Sequence, residues 1–376
     1  MGFVWLMAIG SGTLTMDSMH AETTEVNVNT TNQNEGKPRS MQIEDLFKYQ
    51  RYADPQLSPD GKSVTFQATR FSDPTKNAKS TNIHRIALED GSLHPITSSP
   101  KSDTHGRFSP DGKHFVFESN RDGTPQLYLL DTSGLSEARQ LTKISTGAST
   151  PVWSPDGKRI AFVSSVRPEW SELPFADSDA KNRAADEQAS ASPVKAKVFS
   201  KLFYRHWDSY VEDKRQHLFI INIDGSDCRD VTPGDRDAYP TSTTFSTGDD
   251  FCFTPDGNHL IVSAVPVSGE SWTTNYDLCR IDLNKPSTSW EALTSRNQAA
   301  DCSPKFSPNG KKLAYRAQAR PGYEADRWEL MIVECKPDGT WVGQPKSWTG
   351  SFDRSDRKST RLNSSHEWIS RMPSSA

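Results

Sequence analysis

Apolar and polar positions alternate along much of the chain in short runs such as Arg159-Ile160-Ala161-Phe162-Val163-Ser164 and Lys312-Leu313-Ala314-Tyr315-Arg316. A period of two puts successive side chains on opposite faces of an extended backbone, so each run predicts a strand. No helical periodicity interrupts the series. One phrase stands before these runs: Leu57-Ser58-Pro59-Asp60-Gly61-Lys62, Phe108-Ser109-Pro110-Asp111-Gly112-Lys113, Trp153-Ser154-Pro155-Asp156-Gly157-Lys158, Phe253-Thr254-Pro255-Asp256-Gly257-Asn258 and Phe306-Ser307-Pro308-Asn309-Gly310-Lys311. Its proline pre-sets the backbone, Asp or Asn suits the next position and can bond its own backbone, and Gly accepts the left-handed conformation that closes the turn. Phrase and run together predict a hairpin.

A third strand is predicted at Gln126-Leu127-Tyr128-Leu129-Leu130-Asp131 and Tyr276-Asp277-Leu278-Cys279-Arg280-Ile281. A fourth ends in Pro95-Ile96-Thr97, Gln140-Leu141-Thr142, Asp230-Val231-Thr232 and Ala292-Leu293-Thr294. With Ser58, Ser109, Ser154, Thr254 and Ser307 as marks, the intervals are 51, 45, 100 and 53 residues. A period near 50 indicates a repeat architecture, and four antiparallel strands per period make the blade of an all-β fold, the β-propeller. The expected blades are 45–99, 100–145, 146–235, 245–297 and 298–350. The interval of 100 is one blade carrying an insertion at 166–215, because its third strand appears only at Gln216-His217-Leu218-Phe219-Ile220-Ile221-Asn222. Up to about Pro193 the insertion is rich in Ala, Ser, Asp and Lys and is expected to be solvent-exposed or mobile; Val198 to Tyr210 is aromatic and basic.

Charge removes one class of partner. Charged residues make up 24% of the chain, the net charge is −4 and no block of like charges occurs, which argues against nucleic acid and against a polybasic membrane surface. Five cysteines without a CxxC pair give no zinc or redox motif and read as buried strand residues. His84, His94, His105, His114 and His217 fall in strands or turns, so neither metal nor cofactor is expected. No Gly-x-Ser-x-Gly nucleophile elbow occurs, and no catalytic residue is assigned.

The two ends read differently from the middle. Phe3 to Gly10 is apolar but too short to span a bilayer, and with Ala21 as a cleavage position it suits the remnant of an export signal, although no Lys or Arg precedes it. Residues 1–40 are expected to be a leader, which leaves a periplasmic or secreted location and a cytoplasmic one both open. Asp356 to His366 (DRKSTRLNSSH) resembles the translation of a common short-read sequencing adapter, and residues 356–376 are expected to be an artefactual tail that follows loss of the native frame near Ser355.

The repeats resemble the propeller of the translocation protein TolB and that of prolyl oligopeptidase family serine peptidases. Longer runs favour the peptidases. Met41-Gln42-Ile43-Glu44-Asp45-Leu46-Phe47 leading into Asp54-Pro55-Gln56-Leu57 looks like the start of blade one in bacterial dipeptidyl and acylaminoacyl peptidases. His217-Leu218-Phe219 through Asp224-Gly225, then Asp230 to Asp237, and Arg316 to Trp328 resemble further stretches of the same enzymes. The resemblance implies a propeller of seven or eight blades, of which about five are present. It also implies a partner α/β-hydrolase domain with a Ser-Asp-His triad, missing from this chain, which is therefore expected to be inactive alone. The propeller would gate and dock peptide substrates. Candidate substrate contacts are Arg205, His206, Trp207 and Asp208 in the insertion, Glu270 and Trp272 in blade four, and Tyr323, Glu324 and Asp326 in blade five, all between second and third strands. Trp153, Trp272 and Trp328 are expected to pack between blades. The alternative is a non-enzymatic TolB-like propeller that binds proteins of the cell envelope.

Overall fold

The computed structural model describes residues 39–76, 78–132, 137–194, 196–199, 202, 204–206, 209–210, 213–239, 250–265, 270–351 and 355. The apolar stretch near the amino terminus and the adapter-like tail lie outside the described residues. The sheets belong to the compact unit that begins at Glu44.

Among the described residues, five four-stranded antiparallel sheets follow one another along the chain, one per turn phrase. Blade one contains β1 (Arg51–Leu57), β2 (Ser63–Asp73), β3 (Ala78–Ala87) and β4 (Leu93–Pro95). Blade two contains β5 (Asp103–Phe108), β6 (His114–Ser119), β7 (Gln126–Asp131) and β8 (Arg139–Gln140). Blade three has β9 (Ser149–Trp153) and β10 (Arg159–Val166), then a helix α1 (Phe175–Ala191) and a separate hairpin of β11 (Arg205–His206) and β12 (Ser209–Tyr210), before β13 (Arg215–Asn222) and β14 (Arg229–Asp230). Blade four contains β15 (Phe251–Phe253), β16 (His259–Ala264), β17 (Asp277–Asp282) and β18 (Glu291–Ala292). Blade five contains β19 (Asp301–Phe306), β20 (Lys312–Ala317), β21 (Glu329–Cys335) and β22 (Trp341–Ser347).

Side-chain oxygens explain why the turn phrase recurs. In every copy the Ser or Thr hydroxyl donates to the Asp or Asn two residues later at 2.5–2.8 Å. The same hydroxyl oxygen accepts the amide of the first residue of the second strand at 2.9–3.1 Å. The Asp or Asn oxygen also accepts the amide two residues further on at 3.0–3.1 Å. Gly61, Gly112, Gly157, Gly257 and Gly310 sit at φ +68° to +72°, which an L side chain adopts only under strain. The turn is thus closed by three side-chain hydrogen bonds, two backbone ones and one glycine.

A second device ends each blade. The Ile/Leu/Val-Thr phrase lies just past the fourth strand rather than in it, and the threonine hydroxyl accepts a third-strand amide: Ile83, Leu127, Leu218 and Leu278 donate to Thr97, Thr142, Thr232 and Thr294 at 2.8–3.0 Å. In blade five, Thr349 does the same for Leu330 at 2.8 Å. A side chain thereby replaces the next rung of the ladder.

Four of the first strands, those of blades one, two, three and five, carry a bulge. Asp54, His105, Thr150 and Ser303, each four residues before its turn serine, have φ between +51° and +56°, and the strand pairing slips at these places. A bulge increases local twist and re-aims the side chain. Asp54 thus reaches blade two, where Arg107 donates to it at 2.8 Å. Burial pushes the Asp54 pKa up, but the charge and hydrogen bond of Arg107 outweigh it and hold the carboxyl below its ordinary value.

The core lies between the blades. Ile83 of blade one packs with Phe115, Phe117 and Tyr128 of blade two, and one continuous cluster joins Leu218 and Ile220 of blade three to Phe251, Leu260 and Val262 of blade four. Backbone carbonyls of the next blade accept arginines across these seams: Arg229 donates to Leu283 at 2.9 Å, Arg280 to Asp338 at 3.2 Å and Arg159 to Gly257 at 2.7 Å. Trp153 packs between blades as expected, with its indole N–H donating to Arg107 O at 3.0 Å. Trp328 packs against the cluster formed by Tyr276 of blade four and Ala300 of blade five, with the Arg316 guanidinium 4.6 Å from its ring. Trp272 does not pack between blades; it is 86% exposed. His217 is fully buried, with Nδ1 2.6 Å from Asp230 and Nε2 2.9 Å from the Gly234 carbonyl, a structural role. Cys279, Cys302 and Cys335 are buried in strands, and burial pushes the Cys279 thiol up to about 11 and that of Cys302 to about 12.

No apolar stripe announces α1, yet Phe175–Ala191 is a helix. Six alanines supply propensity, and polar anchors supply docking. Asp179 accepts the Ser145 amide of the blade-two end at 2.7 Å and Arg183 at 2.6 Å. Asn182 accepts the Arg167 amide at 3.0 Å. The helix is held by its buried Ser178, Asp179 and Asn182, with Phe175 at its first turn packing edge-on against Phe219.

Asp103 and Asp301 occupy the same repeat position and meet opposite surroundings. Arg121 donates to both oxygens of Asp103 at 3.2 Å, whereas Ala319 stands at the position equivalent to Arg121 in blade five. Asp301 keeps hydrogen bonds from Asn297 at 3.1 and 3.2 Å. Burial, with a contribution from Asp277, pushes its pKa up to about 7.

Because that value is raised above the unfolded one, native Asp301 holds its proton longer, and stability falls as pH rises from about 4 to about 7. Asp301→Asn should therefore gain on the wild type with pH, by about 1–3 kcal/mol at pH 8 and little at pH 4. Urea midpoints at the two pH values check this, and a pH-independent difference contradicts it. Thr142→Val, which strips the Leu127 amide and Gln126 of a buried partner, should cost about 1–3 kcal/mol in the same assay.

Candidate functional site

In an antiparallel four-stranded blade, the turns joining strands one to two and three to four lie at one end, and the connections from strand two to three lie at the other. The first end is minimal, because the serine-aspartate phrase closes the one-to-two turn tightly. The second is elaborated: a 3-10 turn at Pro74–Lys76 in blade one, α1 and the β11–β12 hairpin in blade three, a 3-10 turn at Glu270–Trp272 in blade four, and residues 318–328 in blade five. All candidate substrate contacts belong to these connections.

Arg205 pairs with Tyr210 across the β11–β12 hairpin and is exposed. His206 pairs with Ser209 in the same hairpin, and Trp207 and Asp208 lie outside the described residues. Phe199 packs on Tyr204 and Tyr210 with ring centroids 5.6 and 5.5 Å apart, and the Lys197 ammonium lies 5.1 Å from the Tyr210 ring. The result is a basic aromatic arm. In blade four, Glu270 opens the 3-10 turn that leaves Trp272 out in solvent.

The blade-five connection has no secondary structure, and two side chains hold it. Gln318 donates to the Glu324 carbonyl at 3.0 Å and to the Asp326 carbonyl at 3.1 Å. Asp326 accepts the amides of Ala319 and Arg320 at 3.0 and 2.8 Å and the Arg320 Nε at 2.7 Å. Burial pushes the Asp326 pKa up, but the Arg320 hydrogen bond and the backbone amides overcome it and bring the group down to about 2. The carboxylate is committed to the loop. Tyr323 and Glu324 remain exposed on it.

Among the described residues, none of the hydrogen bonds, ion pairs or ring contacts joins the three clusters to one another; they share an end of their blades, not a common pocket. Sequence reasoning passed over the arginines at this end. Arg121, Arg167 and Arg320 stand 12, 13 and 13 residues after the turn serines Ser109, Ser154 and Ser307. Each pairs with a carboxylate and approaches an aromatic face: Arg121 lies 4.6 Å from Tyr128, Arg167 5.7 Å from Trp170 and Arg320 4.2 Å from Tyr323. The repeat register, applied to charge instead of to apolar residues, carries that signal.

Arg167 is the most enclosed of them. Asp213 accepts its Nε at 2.6 Å, Asp186 accepts a terminal nitrogen at 2.9 Å, and Lys214 adds a 2.9 Å bond to Asp186. Burial works to discharge the guanidinium, and both carboxylates overcome it. This network ties α1 to the start of β13. Beside it, Ser145, Arg183, Asp186, Glu187, Ser190 and Ala191 line an open depression of about 570 Å³. Among the described residues no group of three or more His, Cys, Asp or Glu side chains is placed to hold a metal ion. No helix among them is long and apolar enough to cross a membrane.

Comparison with known proteins gives this geometry a family. The model of the TolB β-propeller domain, PD40, matches residues 28–226. The chain is 26% identical over 282 residues to dipeptidyl-peptidase 5 of Porphyromonas endodontalis, covering 74% of this chain and 38% of that protein. To the dipeptidyl-peptidase 5 of Porphyromonas gingivalis it is 28% identical over 289 residues, covering 76% and 40%. The chain thus spans about two fifths of the length of these curated relatives. Among solved structures it is similar to the acylaminoacyl peptidase of Pyrococcus horikoshii, with a TM-score of 0.54 at 17% identity over 82% of this chain and 41% of the other, a likeness of fold. Five repeated blades, their turn chemistry and the matched family model agree, and the chain belongs to the family of TolB β-propeller domains.

Proposed function

We propose that this propeller gates and docks peptides for a serine exopeptidase of the dipeptidyl or acylaminoacyl type, working with an α/β-hydrolase domain that carries the catalytic triad. The observation that carries the reading is the asymmetry of the blades. The serine-aspartate turns of one end are short and closed, while the other end bears the helix, the aromatic arm and the stapled loop. An end built out in this way offers a wall of charged and aromatic groups that a peptide entering from solvent can meet. The similarity to dipeptidyl-peptidase 5 supports the same reading.

On this reading Arg205, Trp272, Tyr323 and Glu324 face the peptide, with Glu324 suited to a substrate ammonium and Arg205 to a backbone carbonyl. His206, Trp207, Asp208 and Glu270 share the same connections. Asp326 acts on substrate only through the loop it holds. The protein works in the periplasm or outside the cell, a compartment suited to breakdown of peptides.

Sequencing the source gene through and beyond the Ser355 codon tests the assignment. The expected result is an open frame that adds blades and then a Gly-x-Ser-x-Gly motif; a stop codon within one further blade overturns it. The purified chain by itself should not turn over dipeptidyl or aminoacyl p-nitroanilides, and turnover inhibited by a serine-directed reagent would contradict the division of labour.

A further inference from the structure

Three arginines begin the strand-two-to-three connections at neighbouring repeat positions, 12 or 13 residues after the turn serine, and their surroundings separate them. Arg121 sits against Phe117 and Tyr128, donates to both oxygens of Asp103, and gives its Nε to Ser119 at 2.9 Å. Arg167, with a side chain 9% exposed, gives Nε to Asp213 and a terminal nitrogen to Asp186 and to the Asn182 carbonyl. Arg320 is 65% exposed and donates from its side chain to Asp326 through Nε alone. Among the described residues it is the one of the three whose two terminal nitrogens both lack a protein acceptor.

Arg320 is nevertheless oriented. The Asp326 oxygen fixes Nε at 2.7 Å, the Tyr323 ring lies 4.2 Å from the guanidinium carbon, and the backbone amide of Arg320 binds the other Asp326 oxygen at 2.8 Å. Asp326 in turn is held by the Ala319 amide, and the loop beneath is pinned by Gln318, which is 3% exposed. Because backbone amides share the charge of Asp326, the ion pair does not fully neutralise the guanidinium. What remains is a planar fork with two outward nitrogens, restrained on one edge and one face. That geometry matches the two oxygens of a carboxylate, and the entropy cost of ordering a long arginine side chain has largely been met by the fold.

We propose that Arg320, oriented by Asp326 and Tyr323, is a carboxylate receptor that selects peptides carrying an acidic side chain or a free carboxyl terminus near the docked end. The proposal rests on the peptide-docking reading and adds a charge preference to it. Tyr323 and Asp326 are positioning residues for the fork, and Arg320 is the group that touches the ligand.

Isothermal titration of the full chain with three dipeptides tests it: Ala-Gln amide, Ala-Glu amide and Ala-Gln with a free carboxyl terminus. At least one carboxylate peptide should bind about tenfold more tightly than Ala-Gln amide, a margin expected of a charge-assisted pair of hydrogen bonds, and which one does so identifies the source of the carboxylate. Arg320→Gln should abolish the margin, and Arg320→Lys, which keeps the charge but not the fork, should lose most of it. Tyr323→Ala should reduce it severalfold by unseating the guanidinium. Unfolding midpoints equal to that of the wild type show that the variants are folded. Equal binding of all three peptides, or a margin that survives Arg320→Gln, overturns the receptor and leaves peptide docking standing. Failure of every peptide to bind overturns both.

Discussion

A twisted four-stranded sheet has two faces and no core of its own, so each blade becomes stable only against its neighbours. This constraint organises the molecule. The apolar clusters run from one blade to the next, from Ile83 against Phe115 to Ile261 and Leu278 against Leu313 and Tyr315. Where a neighbouring blade covers the first strand, its residues are buried, as Asp103 and Phe251 are; on β1, Tyr52 is 66% exposed and Leu57 47%. Arginine-to-carbonyl bonds across the seams add direction to a contact that apolar burial alone leaves free to slide.

Seam packing also decides where irregular structure is tolerated. The faces are taken up by neighbours, so elaboration is confined to the blade ends. One end is closed by hydroxyl and carboxylate side chains that satisfy backbone amides locally, which leaves little room for insertion. The other end, where the second strand passes to the third, accommodates a helix, a hairpin and a loop, the helix fixed by buried Asn182 and Asp179 and the loop by Gln318 and Asp326. Buried polar groups with complete hydrogen bonding specify one geometry more narrowly than an apolar contact does. The candidate site is therefore rigid where it is anchored and open where Trp272, Tyr323 and Arg320 meet solvent.

Electrostatics divides equivalent positions by their neighbours. Asp103 and Asp301 share a register and differ in their partners: Arg121 donates to Asp103, whereas Asp301 is left with Asn297, and burial raises its pKa. Neighbours likewise separate the three arginines at the elaborated end: Arg121 and Arg167 are enclosed by acceptors and Arg320 is turned outward.

The sequence by itself determined the blades. Ser, Asp and Gly at fixed spacing form the turn through contacts within six residues, and a period of two sets which face each strand buries, so five repeats were legible without any knowledge of the tertiary contacts. It also placed the candidate residues at one end, since strand order fixes which connections share it. It did not reveal α1, whose stability comes from Asn182 and Asp179 meeting Arg167 and Ser145 rather than from an apolar stripe. Nor did it separate Asp326 from Glu324, two carboxylates on one loop, or Trp272 from Trp328, two tryptophans at related positions. Which carboxylate folds back onto the amides of Ala319 and Arg320, and which ring a neighbouring blade covers, is decided by how the loop closes and packs, and residue type and spacing do not encode that closure. Only the tertiary structure, by folding the loop onto Gln318 and Asp326, turned Arg320 toward solvent.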